Sequence, residues 1–437
     1  MDKTPLENWI SAKTGIDGRP ELPKLREYQL FKLRETLRLV KANSRLYEER
    51  LAGVSPDSIH TMADVARLPF TYPKDIAERG TDLLCVPPRE IGRIVTLSTS
   101  GTTGNPKRIY FTAEDQSLTV DFFHHGMMTF TGATDRVMIF MPGSTEGSVG
   151  DLLTKGLARF GCESVVYGPV RNYEDALKAL QRERITSIVG IPSQMLTLSR
   201  YHSDAVSADT IRLKSVLLSA DYVPKVTSDF ISAVWGAAVY GHYGMTETGL
   251  GGGVECRARQ GHHLREADLL YEIVDPSSGQ PVPDGEWGEV VFSTLTRRGM
   301  PLIRYRTGDR SRFLTAPCPC GTVLRRMDRV SGRLGEIVTL ADGQDLSITQ
   351  LDELILADPS VLMFRAELTR RNGCDVLVLT VKTAGPPIDR KALARKLDPL
   401  LGGLIREGRL NLEINDGDVD FFTTGTLKRR IADHRNT

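Results

Sequence analysis

The chain has 437 residues, of which 40% are hydrophobic, 7% aromatic and 25% charged, enough apolar material for roughly two or three folded units. Its 56 Lys and Arg stand against 55 Asp and Glu, a formal charge of +1, which argues against a surface built mainly for nucleic acid or anionic membrane and leaves any anionic substrate to be met by a local site. The start, Met1-Asp2-Lys3-Thr4-Pro5-Leu6-Glu7, lacks the basic patch and apolar core of a secretory signal, no apolar run nears the ~20 residues that span a bilayer, and six cysteines are too few for a disulfide scaffold; a cytoplasmic protein with reduced thiols is expected.

Residues 1 to about 60 read as a helical lead-in, because Leu30, Leu33, Leu37 and Val40 recur at helical spacing among charged residues. From about 92 to 250, short apolar runs alternate with amphipathic stretches: Arg136–Phe140, Glu163–Tyr167, Ser187–Gly190 and Ser215–Ser219. That alternation predicts an α/β sheet with crossover helices. After Gly253, Leu270–Val274, Gly288–Phe292 and Pro301–Tyr305 are strand-like and separated by Gly, Pro and Asp, which predicts a smaller antiparallel element. From about Arg333 the chain mixes strands with an amphipathic helix over Asp389–Leu397 and is long enough to be its own domain. The expected architecture is α/β: a large N-terminal domain over 1–332 and a small α+β C-terminal domain over 333–437.

The densest chemistry lies in Ser98-Thr99-Ser100-Gly101-Thr102-Thr103-Gly104-Asn105-Pro106-Lys107, after the strand-like Arg93–Leu97. Glycines let backbone N–H groups converge, and hydroxyls with one ammonium add donors for phosphate oxygens, so this is a polyphosphate cradle. It is not a P-loop of the GxxxxGK[ST] type, since only two residues separate Gly101 from Gly104 and Arg108 follows Lys107.

This segment resembles the phosphate loop of the adenylate-forming enzymes. Three further blocks resemble that superfamily in order: Tyr243-Gly244-Met245-Thr246-Glu247, Tyr305-Arg306-Thr307-Gly308-Asp309 and Gly425-Thr426-Leu427-Lys428. The lead-in, Leu68-Pro69-Phe70-Thr71, Pro301–Asp309 and Pro317-Cys318-Pro319-Cys320-Gly321 resemble its phenylacetate–coenzyme A ligase branch. The resemblance implies a mobile C-terminal domain and ATP-dependent activation of a small carboxylic acid, an aryl acid favoured, through an acyl-adenylate. Transfer to coenzyme A then follows, with AMP and pyrophosphate released.

It also implies roles for single residues. Glu247, helped by Thr246, offers hard oxygens to Mg²⁺. Tyr243, Gly244 and Met245 face adenine, as does Ser219-Ala220-Asp221, where the family more often carries Glu at the third position. Asp309 accepts hydrogen bonds from the ribose diol, Arg333 reaches the nucleotide near a hinge, and Lys428 bridges carboxylate and α-phosphate once the small domain closes. The hinge departs from the branch: Gly332-Arg333-Leu334-Gly335-Glu336-Ile337 and Gly343-Gln344-Asp345-Leu346-Ser347-Ile348 replace its usual segments. That departure keeps open transfer to a carrier-protein thiol or another acceptor, and from a different class the chain could be a non-catalytic nucleotide sensor. A homodimer is the oligomer considered. Met141–Gly147 occupies the region of the family's acyl pocket without its aromatic residues.

Cys256, His263, Cys318 and Cys320 offer thiolate and imidazole ligands suited to a structural Zn²⁺, with His262 as the alternative fourth ligand. The competing reading is a set of buried, inert thiols.

Overall fold

A computed structural model describes residues 2–16, 20–97, 105–203, 211–419 and 429–435, and the chain divides into two compact units. The first comprises Met1–Gly168 and Tyr240–Arg329, the second Pro169–Val239 and Val330–Thr437.

In the first unit the lead-in is helical as its periodicity requires. Helix Pro5–Thr14 starts with Pro at its first position, where the missing N–H costs nothing, and stops at Gly15 in the left-handed region. Helix Leu22–Asn43 buries Leu25, Leu30, Leu33, Leu37 and Val40. Its polar side chains reach inward too: Gln29 Nε2 donates to the Glu266 carbonyl at 2.9 Å and Thr36 Oγ1 to the Leu295 carbonyl at 3.1 Å. Strand Arg93–Leu97 pairs antiparallel with Lys107–Phe111, in the register Leu97 opposite Lys107. Helix Ala113–Met127 follows, opened by a capping box between Thr112 and Asp115. Strands Arg136–Ile139 and Glu163–Val166 are parallel and joined through helix Val149–Ala158. Strand Ala238–Tyr243 pairs antiparallel with Gly253–Glu255, that strand with His262–Leu264, and the last with Arg326–Met327. A separate antiparallel sheet runs Leu269–Val274, Gly288–Thr294, Tyr305–Ser311.

The strand expected at Pro301–Tyr305 begins only at Tyr305. Pro301 has no N–H for a ladder, and Arg304 takes a left-handed backbone with φ +45°. This turn sends its side chain inward, where it is 1% exposed. Arg304 Nε donates to Glu272 at 3.0 Å and Nη1 to the carbonyls of Ala66 and Leu68 at 2.6 and 2.7 Å, while the guanidinium lies 4.1 Å from the Phe70 ring centre.

In the second unit, strands Ser187–Gly190 and Ser215–Leu218 are parallel and accompany helices Tyr173–Arg182, Pro192–Ser203 and Lys225–Trp235. A four-stranded sheet is ordered Leu410–Asp416, Cys374–Thr383, Val361–Arg371, Ile431–Asp433; its central pair is antiparallel and both outer strands run parallel to their neighbours. Leu351 and Ile355 of helix Ile348–Ile355, and Leu393, Leu397 and Leu401 of helix Arg390–Arg406, share one apolar core with Leu196 and the inner face of the sheet. Arg200 is 2% exposed and donates to the carbonyls of Leu356 and Asp358 at 2.6 and 3.1 Å. Among the described residues no helix is long and apolar enough to cross a membrane.

Replacing Arg304 by Met leaves the Glu272 carboxylate buried without its cation. The expected loss is about 3–5 kcal/mol in the first transition of a urea melt, and an unchanged midpoint would show that the pair does not hold this sheet.

Candidate active site

Glu247 sits in a single 3₁₀ turn, Thr246–Thr248, that the sequence closes tightly. Met245 N donates to Thr248 Oγ1 at 3.1 Å, and the turn ends at Gly249 with φ +76°, a left-handed conformation that glycine adopts freely. Thr119 Oγ1 donates to the Gly249 carbonyl at 2.7 Å, fixing the turn to helix Ala113–Met127. Gly244 is required for a different reason: a Cβ there would lie 2.6 Å from the Leu250 carbonyl oxygen.

The Glu247 carboxylate is buried and accepts from two groups. Lys107 Nζ stands 2.5 Å from Oε1 and the Tyr305 hydroxyl donates to the same oxygen at 3.1 Å. Burial pushes this carboxyl upward, but the Lys107 charge and the hydrogen bonds outweigh it and hold the group below its ordinary 4.5. Tyr243 in turn donates to Asp309 Oδ2 at 3.1 Å, both residues being buried. Two segments, Tyr243-Gly244-Met245-Thr246-Glu247 and Tyr305-Arg306-Thr307-Gly308-Asp309, thus each carry a tyrosine four residues before an acid, and each tyrosine bonds the acid of the other.

The first unit therefore brings together Lys107, Tyr243, Gly244, Met245, Thr246, Glu247 and Asp309. Ser219, Ala220, Asp221 and Arg333 belong to the second unit. Ala220 has φ +77°, and Asp221 Oδ1 accepts from Tyr222 N at 2.9 Å. Arg333 precedes the 3₁₀ turn Leu334–Glu336 and its carbonyl accepts from Glu336 N at 3.0 Å. Ser98, Thr99, Ser100, Gly101, Thr102, Thr103, Gly104 and Lys428 lie outside the described residues.

The strand that opens at Lys107 brings that ammonium against the buried Glu247 carboxylate, and the comparisons with known proteins place the chain in a family. Residues 58–296, more than half of the chain, match the AMP-binding enzyme family. The chain belongs to this family. The phenylacetate–coenzyme A ligase of Thermus thermophilus is 30% identical over 375 residues, covering 83% of this chain and 82% of the relative. That of Pseudomonas putida is 27% identical over 416 residues, covering 93% and 92%. These relatives support membership of the adenylate-forming, phenylacetate–coenzyme A ligase-like branch. A 2-hydroxyisobutyryl-CoA ligase solved in the post-adenylation state in complex with R3-HIB-AMP superposes with a TM-score of 0.81 at 20% identity, covering 96% of this chain and 93% of that one, a likeness of fold.

This AMP-binding enzyme carries a second constellation in its first unit. Cys256 follows strand Gly253–Glu255, His263 is the middle residue of His262–Leu264, and Cys318 and Cys320 flank Pro319 in the turn before Arg326–Met327. All four are buried and their ligand atoms lie within 4.8 Å of one another. Cys256 Sγ is 3.5 Å from Cys318 Sγ, and Cys320 Sγ is 3.6 Å from His263 Nε2. Burial pushes the His263 imidazole down, yet the three sulfurs overcome this and raise it to about 11; burial pushes the Cys320 thiol up, yet His263 brings it to about 6. The donor set fits a tetrahedral zinc, whose Zn–S bonds of about 2.3 Å place sulfurs roughly 3.8 Å apart. His262 points elsewhere, its ring centre 6.4 Å from that of Tyr243, so His263 completes the set.

Two residues of this AMP-binding enzyme escape a sequence reading of the site. Tyr305 was part of a recognised block, but its bond to Glu247 depends on a pairing 58 residues apart. Arg297 is buried, with Nη1 unbonded among the described residues, and lies 5.0 Å over the Phe111 ring; a Cβ on Gly249 would come within 3.1 Å of its Nη2. The repeated Tyr-x-x-x-acid spacing was the available signal for the first, and nothing in composition singles out the second.

The Lys107–Glu247 pair makes a pH prediction. Because the folded carboxyl lies below its unfolded value, the pair stabilises the protein above about pH 4.5, and that contribution is lost as the pH falls through the lowered folded value. Lys107→Met reverses the sign by leaving a buried carboxylate beside Tyr305. The variant should be less stable by about 3–5 kcal/mol at pH 7, and thermal melts should show the gap to the parent protein narrowing as the pH falls.

Proposed function

We propose that this enzyme activates a carboxylic acid, with aryl acids favoured, by ATP-dependent formation of an acyl-adenylate, and then transfers the acyl group to coenzyme A with release of AMP and pyrophosphate. The observation that supports it most is the cross-bonded pair of Tyr-x-x-x-acid segments beside Lys107, in a chain whose family and relatives perform adenylate chemistry. Carboxylate attack on the α-phosphate brings anions together, so the reaction needs fixed positive charge and oriented donors.

The loop Ser98–Gly104 and Lys107 supply those donors. Glu247 and Thr246 hold hard oxygens of the kind Mg²⁺ takes, and the ion when bound would neutralise phosphate charge. Asp309 presents its carboxylate to the ribose hydroxyls, with Tyr243 as its hydrogen-bond donor. Ser219, Ala220, Asp221, Gly244 and Met245 are assigned to the adenine, Arg333 to the nucleotide near the hinge. Lys428, in a C-terminal domain over 333–437 that moves between half-reactions, bridges carboxylate and α-phosphate. The protein works with reduced thiols in the cytoplasm; all six of its cysteines are free.

A panel of carboxylic acids should include at least one that stimulates conversion of ATP to AMP and pyrophosphate, followed by chromatography. ADP and phosphate as products would overturn the reading. Supplying coenzyme A or a carrier-protein thiol to the preformed acyl-adenylate distinguishes the acceptor.

Cys256, His263, Cys318 and Cys320 hold a structural zinc ion in this proposal. Four protein ligands leave no open position, so the ion contributes stability by tying the segment before Arg326 to strand His262–Leu264. Elemental analysis of protein purified without added metal should find about one zinc per chain. Cys318→Ser should lower both zinc content and melting temperature, and metal-free protein of undiminished stability would restore the reading of inert thiols.

A further inference from the structure

In the first unit a cavity of about 380 Å³ is lined by the start of helix Leu22–Asn43, strand Leu269–Val274 and the turn over 281–284. Its size falls within the ~300–1,000 Å³ of small-molecule sites. Leu25, Ile273 and Val282 give it an apolar wall. None of Lys107, Tyr243, Glu247 and Asp309 lines it, so it is separate from the site described above.

Two charged groups that line this cavity are short of partners. Glu272 is 3% exposed; its Oε2 accepts from Arg304 Nε at 3.0 Å, and its Oε1 is buried with no hydrogen-bond partner among the described residues. Burial pushes this carboxyl up further than the Arg304 charge brings it down, as expected of an anion that lacks donors. Arg26 is steadied by Gln29, whose Oε1 accepts from Nη1 at 2.9 Å while its Nε2 holds the Glu266 carbonyl. Among the described residues this guanidinium makes no other hydrogen bond, which leaves it a planar fork of N–H donors. The other charges are matched: Arg325 Nη2 pairs with Asp284 at 2.5 Å, and the Arg325 N–H donates to Glu266 Oε2 at 3.2 Å. Arg26, Arg304 and Arg325 thus stand against Glu266, Glu272 and Asp284. A ligand with net charge would leave one charge there uncompensated, and a zwitterion would not.

We propose that this cavity binds a small apolar α-amino acid as its zwitterion, with the ammonium on Glu272 Oε1, the carboxylate on the Arg26 fork and the side chain against Leu25, Ile273 and Val282. A carboxylate can take two parallel N–H bonds from a guanidinium, and an ammonium supplies the donor that a lone buried carboxylate oxygen needs. An amine by itself satisfies Glu272 and leaves Arg26 unmet; a carboxylic acid by itself does the reverse. The demand for both charges separates this site from the one at Lys107, where the proposed reaction needs only the carboxylate.

The test is equilibrium dialysis of the full-length protein without ATP, with L-leucine, L-methionine and L-phenylalanine each as the probe. At least one should saturate at about one site per chain in the millimolar range or below. For that amino acid, the amine lacking the carboxylate and the acid lacking the ammonium should each bind about tenfold or more weakly, the loss expected when one charge-assisted contact is removed. Arg26→Met, at a half-buried position, should bring the amino acid down to the affinity of its amine. Val282→Trp fills the cavity from the turn without touching either charged group, should abolish binding, and serves if the Arg26 variant does not fold. Failure of all three amino acids to saturate, an acid analogue that binds as tightly as its amino acid, or binding that survives Arg26→Met or Val282→Trp undiminished would overturn the proposal. Since ATP is absent throughout, each result holds whether or not the enzyme forms an acyl-adenylate.

Discussion

The guanidinium of Arg304 is the group around which the first unit is arranged. A buried arginine brings several N–H donors into a place without water, and each needs an acceptor. Here the acceptors come from distant parts of the chain: carbonyls of Ala66 and Leu68 after the helical lead-in, and the Glu272 carboxylate in the antiparallel sheet. The neighbouring backbone repeats the connection, since Thr71 N donates to the Arg304 carbonyl and Arg306 N to that of Thr71. Tyr47, Thr71 and Ile303 close a further ring of hydrogen bonds at 2.7–2.9 Å. The strand that starts at Tyr305 therefore leaves this knot from a fixed point. Between Tyr305 and Asp309 its pairing with Gly288–Thr294 shifts register and Gly308 takes φ +76°, and the two residues bond Glu247 and Tyr243 respectively. The lead-in, remote from any chemistry in sequence, is part of the foundation on which the buried acids stand.

Much of this was legible beforehand, for identifiable reasons. The spacing of Leu30, Leu33, Leu37 and Val40 predicted a helix because one apolar face must be buried, and all four are. The alternation of apolar runs with amphipathic stretches gave the parallel pairs Arg136–Ile139 with Glu163–Val166 and Ser187–Gly190 with Ser215–Leu218. The candidate zinc ligands were named by donor chemistry, but the choice between His262 and His263 needed the pleat, since successive residues of a strand face opposite ways. What stayed hidden were buried charges. Arg304 sat in an apparent strand, Arg200 in a segment with no reading of its own, and only the tertiary fold reveals the carbonyls that wait for them. The cross-bonding of Tyr243 with Asp309 and of Tyr305 with Glu247 was hidden likewise, because hydrogen bonds across 58 and 66 residues leave no periodicity.

The second unit uses the same device. Arg200 carries its charge into an apolar setting, where its Nη2 donates to the carbonyls of Leu356 and Asp358, while Thr197 Oγ1 donates to the Leu362 carbonyl at 3.2 Å. Such bonds are directional, so they fix where the C-terminal strands and helices rest against helix Pro192–Ser203 more sharply than packing of Leu196 alone. Polar groups in both units thus specify register and docking, and the apolar cores supply the bulk of the stabilisation.

The ammonium of Lys107 and the buried carboxylate of Glu247 neutralise each other. Under the proposed function a divalent cation at Glu247 would compete with that ammonium, and phosphate oxygens would give Lys107 a second anion to hold. Metal and nucleotide would then favour each other's binding, because each would supply the partner that the ion pair loses to the other.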